Sequence, residues 1–168
     1  MDTALFVGRF QPFHRAHLAD VKAILEDNDK VIIAVGSSQY SNTQENPFSF
    51  EERKEMIEDA LETANIHDFE IIPVPDIHND SEWVEHVLKN VPPFKKVYTG
   101  NRHTFDLFHA AGYDVIMLKI IPNISSSDVR QKIAEGGEWK GLLTPPVVKF
   151  IERIDGVKRV KGLVVKGK

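Results

Sequence analysis

Thr3-Ala4-Leu5-Phe6-Val7-Gly8-Arg9-Phe10-Gln11-Pro12-Phe13-His14-Arg15-Ala16-His17-Leu18-Ala19-Asp20-Val21-Lys22-Ala23-Ile24-Leu25-Glu26 passes from an apolar run through a polar joint into an amphipathic run. Thr3–Gly8 is a short apolar run closed by glycine, the signature of a strand buried on both faces. From His14 to Glu26 the apolar residues Leu18, Val21, Ile24 and Leu25 recur at helical spacing. The joint between them holds two histidines, two arginines, a glutamine and a proline. A buried strand feeding a helix through a polar joint is the opening half of a β-α-β unit.

The same unit recurs along the chain. Val31–Ser37, Phe69–Val74, Lys96–Thr99 and Tyr113–Leu118 read as four more buried strands. Between them lie amphipathic stretches. One is opened by Ser49 and Glu52 in a capping-box spacing; another has Trp83, Val84, Val87 and Leu88 on one face. His103–Ala111 is a short helix stopped by Gly112. Ser125 or Ser126 caps a helix ending near Gly136, and Pro145-Pro146 opens a last helix expected to stop at Gly156. The reading is α/β: a doubly wound, five-stranded parallel sheet with helices on both faces, in a single domain over 1–156. Residues 157–168 are expected to form a basic tail, read as a solvated or frayed end.

Composition agrees with a water-soluble globular chain. The 168 residues are 42% hydrophobic and 27% charged. There is no cysteine, which excludes disulfides, thiol catalysis and cysteine-based zinc sites. No run of about 18 apolar residues suggests a membrane span, and the first residues lack a secretory pattern; a cytoplasmic location is the expectation. With 21 basic against 25 acidic residues the net charge is −4, which argues against a nucleic-acid partner. An anionic small substrate needs a local positive pocket.

Ligands on such sheets bind beyond the carboxyl ends of the strands, so chemistry is sought there. His14 and His17, at i and i+3, share a face on the first turn of a helix, where free amides and the positive dipole end lie. Arg9 and Arg15 add charge nearby. Ile124-Ser125-Ser126-Ser127-Asp128-Val129-Arg130 opens another helix after a strand. Its hydroxyls can cap the helix or bind phosphate, and Arg130 can reach back as a fork-shaped donor. Two such helix starts could hold a triphosphate from both ends. Plainer readings exist. The serine run taken alone is most often only a cap. His14 and His17 lack the further ligands that zinc requires. His103 is equally a surface residue, and Trp83 equally a core or a ring-stacking residue.

The motifs Gly-Arg-Phe-Gln-Pro-Phe-His-x-x-His at 8–17 and Ile-Ser-Ser-Ser-x-x-Arg at 124–130 resemble the two signatures of the nucleotidylyltransferase superfamily. Within it, Gly36-Ser37-Ser38-Gln39, Glu45-Asn46-Pro47-Phe48, Pro75-Asp76-Ile77, Trp83-Val84 and Tyr98-Thr99-Gly100-Asn101 resemble the archaeal-type nicotinamide-nucleotide adenylyltransferases. The likeness runs from about Leu5 to Val160. It implies that ATP and nicotinamide mononucleotide give NAD⁺ and pyrophosphate, with Mg²⁺ and no metal-binding residues of the protein's own. It further implies that His14, His17 and Arg130 act in catalysis. Gly8, Arg9, Phe10, Gly100, Asn101, Ser126 and Ser127 join them in binding ATP. Ser37, Asp76, Asp80 and Trp83 would bind the nicotinamide nucleotide. A homo-oligomer, with a hexamer among its forms, is implied as well.

The chain departs from the pattern in places. Ala16 replaces a signature glycine, and Ser127 replaces threonine with its hydroxyl kept. Asn42 stands where many relatives have histidine, Ser49-Phe50-Glu51 replaces Thr-Ala-Gly, and Asp80 replaces a common asparagine. A carboxylate at 80 can accept from an amide NH₂ but cannot donate. Neither a P-loop nor a Gly-x-Gly-x-x-Gly after the first strand is present. Two other readings remain open: an adenylyltransferase for another phosphate acceptor, such as phosphopantetheine or flavin mononucleotide, and a regulator that binds ATP or NAD⁺ without turnover.

Overall fold

The apolar runs do pair as parallel strands in the computed structural model, which describes the chain through residue 166, with side chains through 164. The strands are β1 (Thr3–Gly8), β2 (Lys30–Gly36), β3 (Phe69–Val74), β4 (Lys96–Thr99) and β5 (Asp114–Met117). The helices are α1 (Arg15–Asp27), α2 (Phe50–Thr63), α3 (Asp80–Asn90), α4 (Arg102–Ala110), α5 (Ser126–Glu135), α6 (Pro145–Arg153) and α7 (Gly156–Lys166). A single 3₁₀ turn, Lys140–Leu142, precedes α6. The strand order is β3-β2-β1-β4-β5, and every pairing is parallel. The chain winds outward from β1 to β3, then crosses back to β4 on the other side of β1. The switch point therefore lies at the carboxyl ends of β1 and β4, where ligands of such sheets bind.

The residues form two compact units. The first comprises Met1–Arg9, Asp20–Ser38 and Asp68–Ile120, and so holds the whole sheet. Leu5, Val7, Ile32, Ala34, Val74 and Val97 share one face with Val87 of α3 and Phe108 of α4. Trp83, Val84, Phe94 and Tyr113 pack at its margin. The alternate residues Phe6, Ile33 and Val35 are just as buried on the opposite face, as are Val21 and Ile24 of α1. Asn28, just beyond α1, donates to Tyr98 Oη at 3.0 Å, tying that helix to β4.

The second unit comprises Phe10–Ala19, Gln39–His67 and Ile121–Lys168. Its core is Met56, Ile57, Ala60 and Leu61 of α2, Val129 and Ile133 of α5, Val147, Phe150 and Ile151 of α6, and Val160 of α7. The start of α2 is set by the expected capping box: Ser49 Oγ accepts from the Glu52 amide at 3.1 Å, and Glu52 Oε1 accepts from the Ser49 amide at 2.9 Å.

The structure differs from the sequence expectation at the carboxyl end. Residues 157–166 do not form a frayed tail: α7 continues through them, with Val160 only 3% exposed. Asp155 takes the left-handed turn, at φ 58°, and Gly156 begins the next helix rather than stopping the last. A Cβ at Gly156 would stand 2.8 Å from Ile151 Cγ2 and 3.1 Å from Ile151 O, so only glycine lets α7 pass this closely. Arg159 then clamps α7 to the start of α2, with Nη1 2.6 Å from Glu52 Oε1, Nη2 2.9 Å from Glu52 Oε2 and a further bond to Pro47 O. Gly167 and Lys168, the end of the expected tail, lie outside the described residues.

Candidate active site

Within the second unit, the polar joint before α1 makes an unusual helix start. His14 sits at the cap position and His17 three residues inside. The His17 amide donates to His14 Nδ1 at 3.3 Å, and the His14 amide donates to His17 Nδ1 at 3.1 Å. This is the reciprocal geometry of a capping box, with imidazoles in place of serine and glutamate. The rings stack at 3.6 Å between centroids and 15° between planes. Because each Nδ1 accepts a backbone proton, each neutral ring carries its own proton on Nε2. Two helix amides expected to face a ligand are thus taken by the rings. Those of Arg15 and Ala16 hold the positions a helix leaves without an intrahelical partner.

The surroundings keep the pair neutral. Phe13 stacks on His17 at 5.3 Å and Phe10 meets it edge-on at 4.8 Å. Burial pushes the His14 imidazole down to about 4, with Asp128 partly opposing, and burial together with the neighbouring His14 holds His17 well below the ordinary histidine range. Phe10, at φ 54° and 2% exposed, therefore puts its ring to packing. Gln11 fixes the next loop: its side-chain amide donates to Phe48 O at 2.9 Å and accepts from Phe48 N at 3.0 Å.

The start of α5 meets this joint directly. Ser125 is the cap, accepting from the Asp128 amide at 3.0 Å. Ser126 Oγ donates to Pro12 O at 2.9 Å, and Arg130 Nη1 donates to Gln11 O at 2.8 Å. Arg130 Nη2 lies 3.4 Å from Ser127 Oγ. Phe10, His14, His17, Ser126, Ser127 and Arg130 thus come together in one unit. The hydroxyl proton of Ser126 is engaged on the backbone, so that residue joins the two helix starts. Arg15, expected to add charge beside the histidines, instead donates to Gly141 O at 3.0 Å.

The first unit holds a cavity of about 340 Å³ beyond the carboxyl ends of β1, β2, β3 and β4. Gly8, Arg9, Ser37, Asp76, Asp80, Trp83 and Asn101 all line it, together with Ile77, His78, His103 and Leu107. Trp83 packs edge-on against Phe108 at 5.5 Å and also lines the cavity. Ser37 Oγ donates to Asp76 Oδ2 at 2.7 Å, and His103 Nε2 lies 3.2 Å from Asp80 Oδ2. Asn101 caps α4, accepting from the Thr104 amide at 2.9 Å. Gly100 is not among the lining residues, and a Cβ there would meet nothing within 4 Å. His78, which its spacing did not mark, belongs to the lining; its signal was its place after a strand's carboxyl end.

Among the described residues there is no group of three or more histidines and acids placed to hold a metal. No described helix is long and apolar enough to cross a membrane.

These residues fall into a known pattern. A protein of Picrophilus torridus named nicotinamide-nucleotide adenylyltransferase is 40% identical over 162 residues, covering 95% of this chain and 96% of that one. One of Thermococcus kodakarensis with the same name is 40% identical over 163 residues, covering 95% and 87%. A crystal structure from Francisella tularensis, of a bifunctional NMN adenylyltransferase/ADP ribose pyrophosphatase complexed with AMP and a manganese ion, superposes with a TM-score of 0.81 at 28% identity. It matches 99% of this chain, which spans only 52% of that larger protein. The cytidylyltransferase-like family matches residues 5–132, both signature helix starts included, and the chain belongs to that family.

Proposed function

We propose that this protein transfers the adenylyl group of ATP to nicotinamide mononucleotide, giving NAD⁺ and pyrophosphate. The observation that carries the reading is the joined pair of helix starts, with Ser126 and Arg130 bonded to the loop that ends in the two histidines. The full-length likeness to proteins named for this activity supports it.

The acceptor needs no general base. A phosphate monoester has its second pKa near about 6, so the mononucleotide is mostly dianionic at neutral pH. One of its oxygens attacks the α-phosphorus of ATP. The new P–O bond forms as the bond from the α-phosphorus to the bridging oxygen breaks, and pyrophosphate leaves with that oxygen and the electron pair. What remains for the protein is positioning and charge stabilisation. His14 and His17 donate from Nε2 to phosphate oxygens. Arg130 and Ser127 hold the departing pyrophosphate, with the Ala16 amide as a further donor. Trp83 provides a flat wall for the nicotinamide ring, with Asp76 and Asp80 beside it. Arg9, Gly8 and Asn101 contact the ATP part.

A divalent ion, Mg²⁺, fits as a partner of the triphosphate rather than of a protein cage, since the donor set here is imidazole, guanidinium and hydroxyl; it supplies neutralising charge to the phosphates. The homo-oligomer implied by the resemblance is tested by light scattering.

The test is an acceptor panel. Protein, ATP and Mg²⁺ are mixed with nicotinamide mononucleotide, phosphopantetheine or flavin mononucleotide, and both products are measured. NAD⁺ and pyrophosphate in equal amounts, with the first acceptor alone, are expected. Adenylation of another acceptor, or ATP binding with no pyrophosphate from any of them, refutes the reading.

A further inference from the structure

Gln11 is a polar side chain enclosed within the second unit, only 1% exposed. A buried amide is tolerated when its donor and its acceptor are both engaged. Here one backbone residue engages both: Nε2 donates to Phe48 O at 2.9 Å, and Oε1 accepts from Phe48 N at 3.0 Å. The main chain at the same point carries the start of α5. Gln11 O accepts from Arg130 Nη1 at 2.8 Å, and Pro12 O accepts from Ser126 Oγ at 2.9 Å. The segment gripped at Phe48 is a compact turn. Asn42 N donates to Pro47 O at 3.2 Å, Thr43 N donates to Asn46 O at 3.3 Å, and Asn46 N donates to Thr43 Oγ1 at 3.0 Å. Gln44 and Glu45 in that turn line a cavity of about 540 Å³ together with Ser127 and Arg130. Arg159 also holds the turn, donating to Pro47 O at 3.1 Å with its guanidinium 5.8 Å from the Phe48 ring centre.

We propose that Gln11 is a positioning residue for the reaction: its side chain keeps the turn at 42–48 in register with the starts of α1 and α5, so that Arg130 and Ser127 present their donors to the phosphates of ATP. The inference rests on the adenylyl-transfer assignment above. An apolar side chain of the same length would fill the space but leave the Phe48 amide and carbonyl buried without partners. The joint and the turn would then part, and Gln11 O would move with the joint. The guanidinium of Arg130 is a rigid fork, so it follows the carbonyl to which it is bonded. A displacement of about 1 Å in a group that positions the substrate costs about a hundredfold in rate, even though Gln11 acts only through other residues.

The experiment compares the wild type with Gln11→Met, which keeps the length and removes both bonds, and with Gln11→Glu. An ionised carboxylate accepts from Phe48 N but cannot donate to Phe48 O, whereas the protonated acid does both. The charged groups bonded beside this pair are Arg130, on Gln11 O, and Arg159, on Pro47 O; neither changes in the variants. Each protein is assayed for kcat and both KM values with Mg²⁺, and a nonhydrolysable ATP analogue is titrated calorimetrically. Gln11→Met is expected to raise KM for ATP about tenfold and lower kcat about tenfold, together the hundredfold above, with KM for the mononucleotide unchanged. From pH 9 to pH 5.5, kcat/KM for ATP in Gln11→Glu approaches the wild-type value as the pH falls. Wild-type constants in Gln11→Met overturn the proposal. A lower kcat with KM for ATP unchanged also overturns it, because that pattern reports only fewer folded molecules. Should Gln11→Met fail to fold, Gln11→Glu decides, and a ratio to wild type that stays flat with pH overturns the proposal. A wild type that binds the analogue but forms no product, with variants that bind it about tenfold more weakly, refutes the proposed function and leaves the positioning role standing. NAD⁺ formation indifferent to both substitutions does the reverse.

Discussion

Lowering the pH from 7 to 4 should remove stability through the paired histidines, and His14→Gln should show how much. The folded protein holds His14 near 4 against an ordinary value of 6.5, because burial disfavours its charged form. Between those values the unfolded chain binds the proton and the folded chain does not. Stability is complete above about 6.5, falls as the pH drops through the window and levels off below about 4. At about 1.4 kcal/mol per pH unit, the fall from 6.5 to about 4 is worth roughly 3 kcal/mol. His17 is shifted in the same direction and adds to the loss. Asp20 acts oppositely: burial raises its carboxyl to about 7, so it favours folding as the pH falls. The total curve therefore mixes signs, and the difference between two proteins is the diagnostic quantity. Glutamine keeps an acceptor for the His17 amide but does not titrate. Urea unfolding followed by tryptophan fluorescence, at half-unit steps from pH 7 to pH 4, should show the gap between wild type and His14→Gln change by about 3 kcal/mol in the variant's favour. Parallel curves would refute the neutral, back-bonded imidazole pair.

Replacing His17 by alanine should lower the rate of pyrophosphate release by about two orders of magnitude, the usual scale for one preorganised electrostatic donor; a near-normal kcat removes it from the mechanism. Arg159→Ala should cost about 2 kcal/mol in urea unfolding at pH 7, because a charge-assisted fork to Glu52 is lost. Burial alone would raise the Glu52 carboxyl, but its bonds to Arg159 and Ser49 outweigh this and hold it low. The stabilisation in the wild type accordingly fades as the pH falls below the ordinary carboxylate range, and the Arg159→Ala deficit should shrink there.

The strands were legible because burial on both faces leaves continuous apolar runs, and β1, β3 and β4 fall on the residues expected. The capping box of α2 was legible because Ser49 and Glu52 have one familiar job at that spacing. The same spacing at His14 and His17 pointed to a shared face but not to the reciprocal bonds, since histidine seldom fills either capping role. Once seen, the two boxes are the same device. Arg15 was misread because sequence proximity to the histidines says nothing of direction; its position in the helix turns the guanidinium toward Gly141. Gly156 was misread for a related reason. Glycine near a helix end usually marks a stop, whereas here the close approach to Ile151 demands it and the helix resumes at once. The two carboxylates and the indole of the sheet-end cavity come from separate segments, and the resemblance, rather than periodicity, grouped them.

The starts of α1 and α5 are proposed to hold one polyanion together. The most direct test is a crystal structure with a nonhydrolysable ATP analogue and Mg²⁺. Phosphate oxygens should lie at about 3 Å, hydrogen-bond distance, from Nε2 of His14 and His17 and from the Arg130 guanidinium. A triphosphate bound elsewhere, with both imidazoles and Arg130 out of its reach, would contradict it.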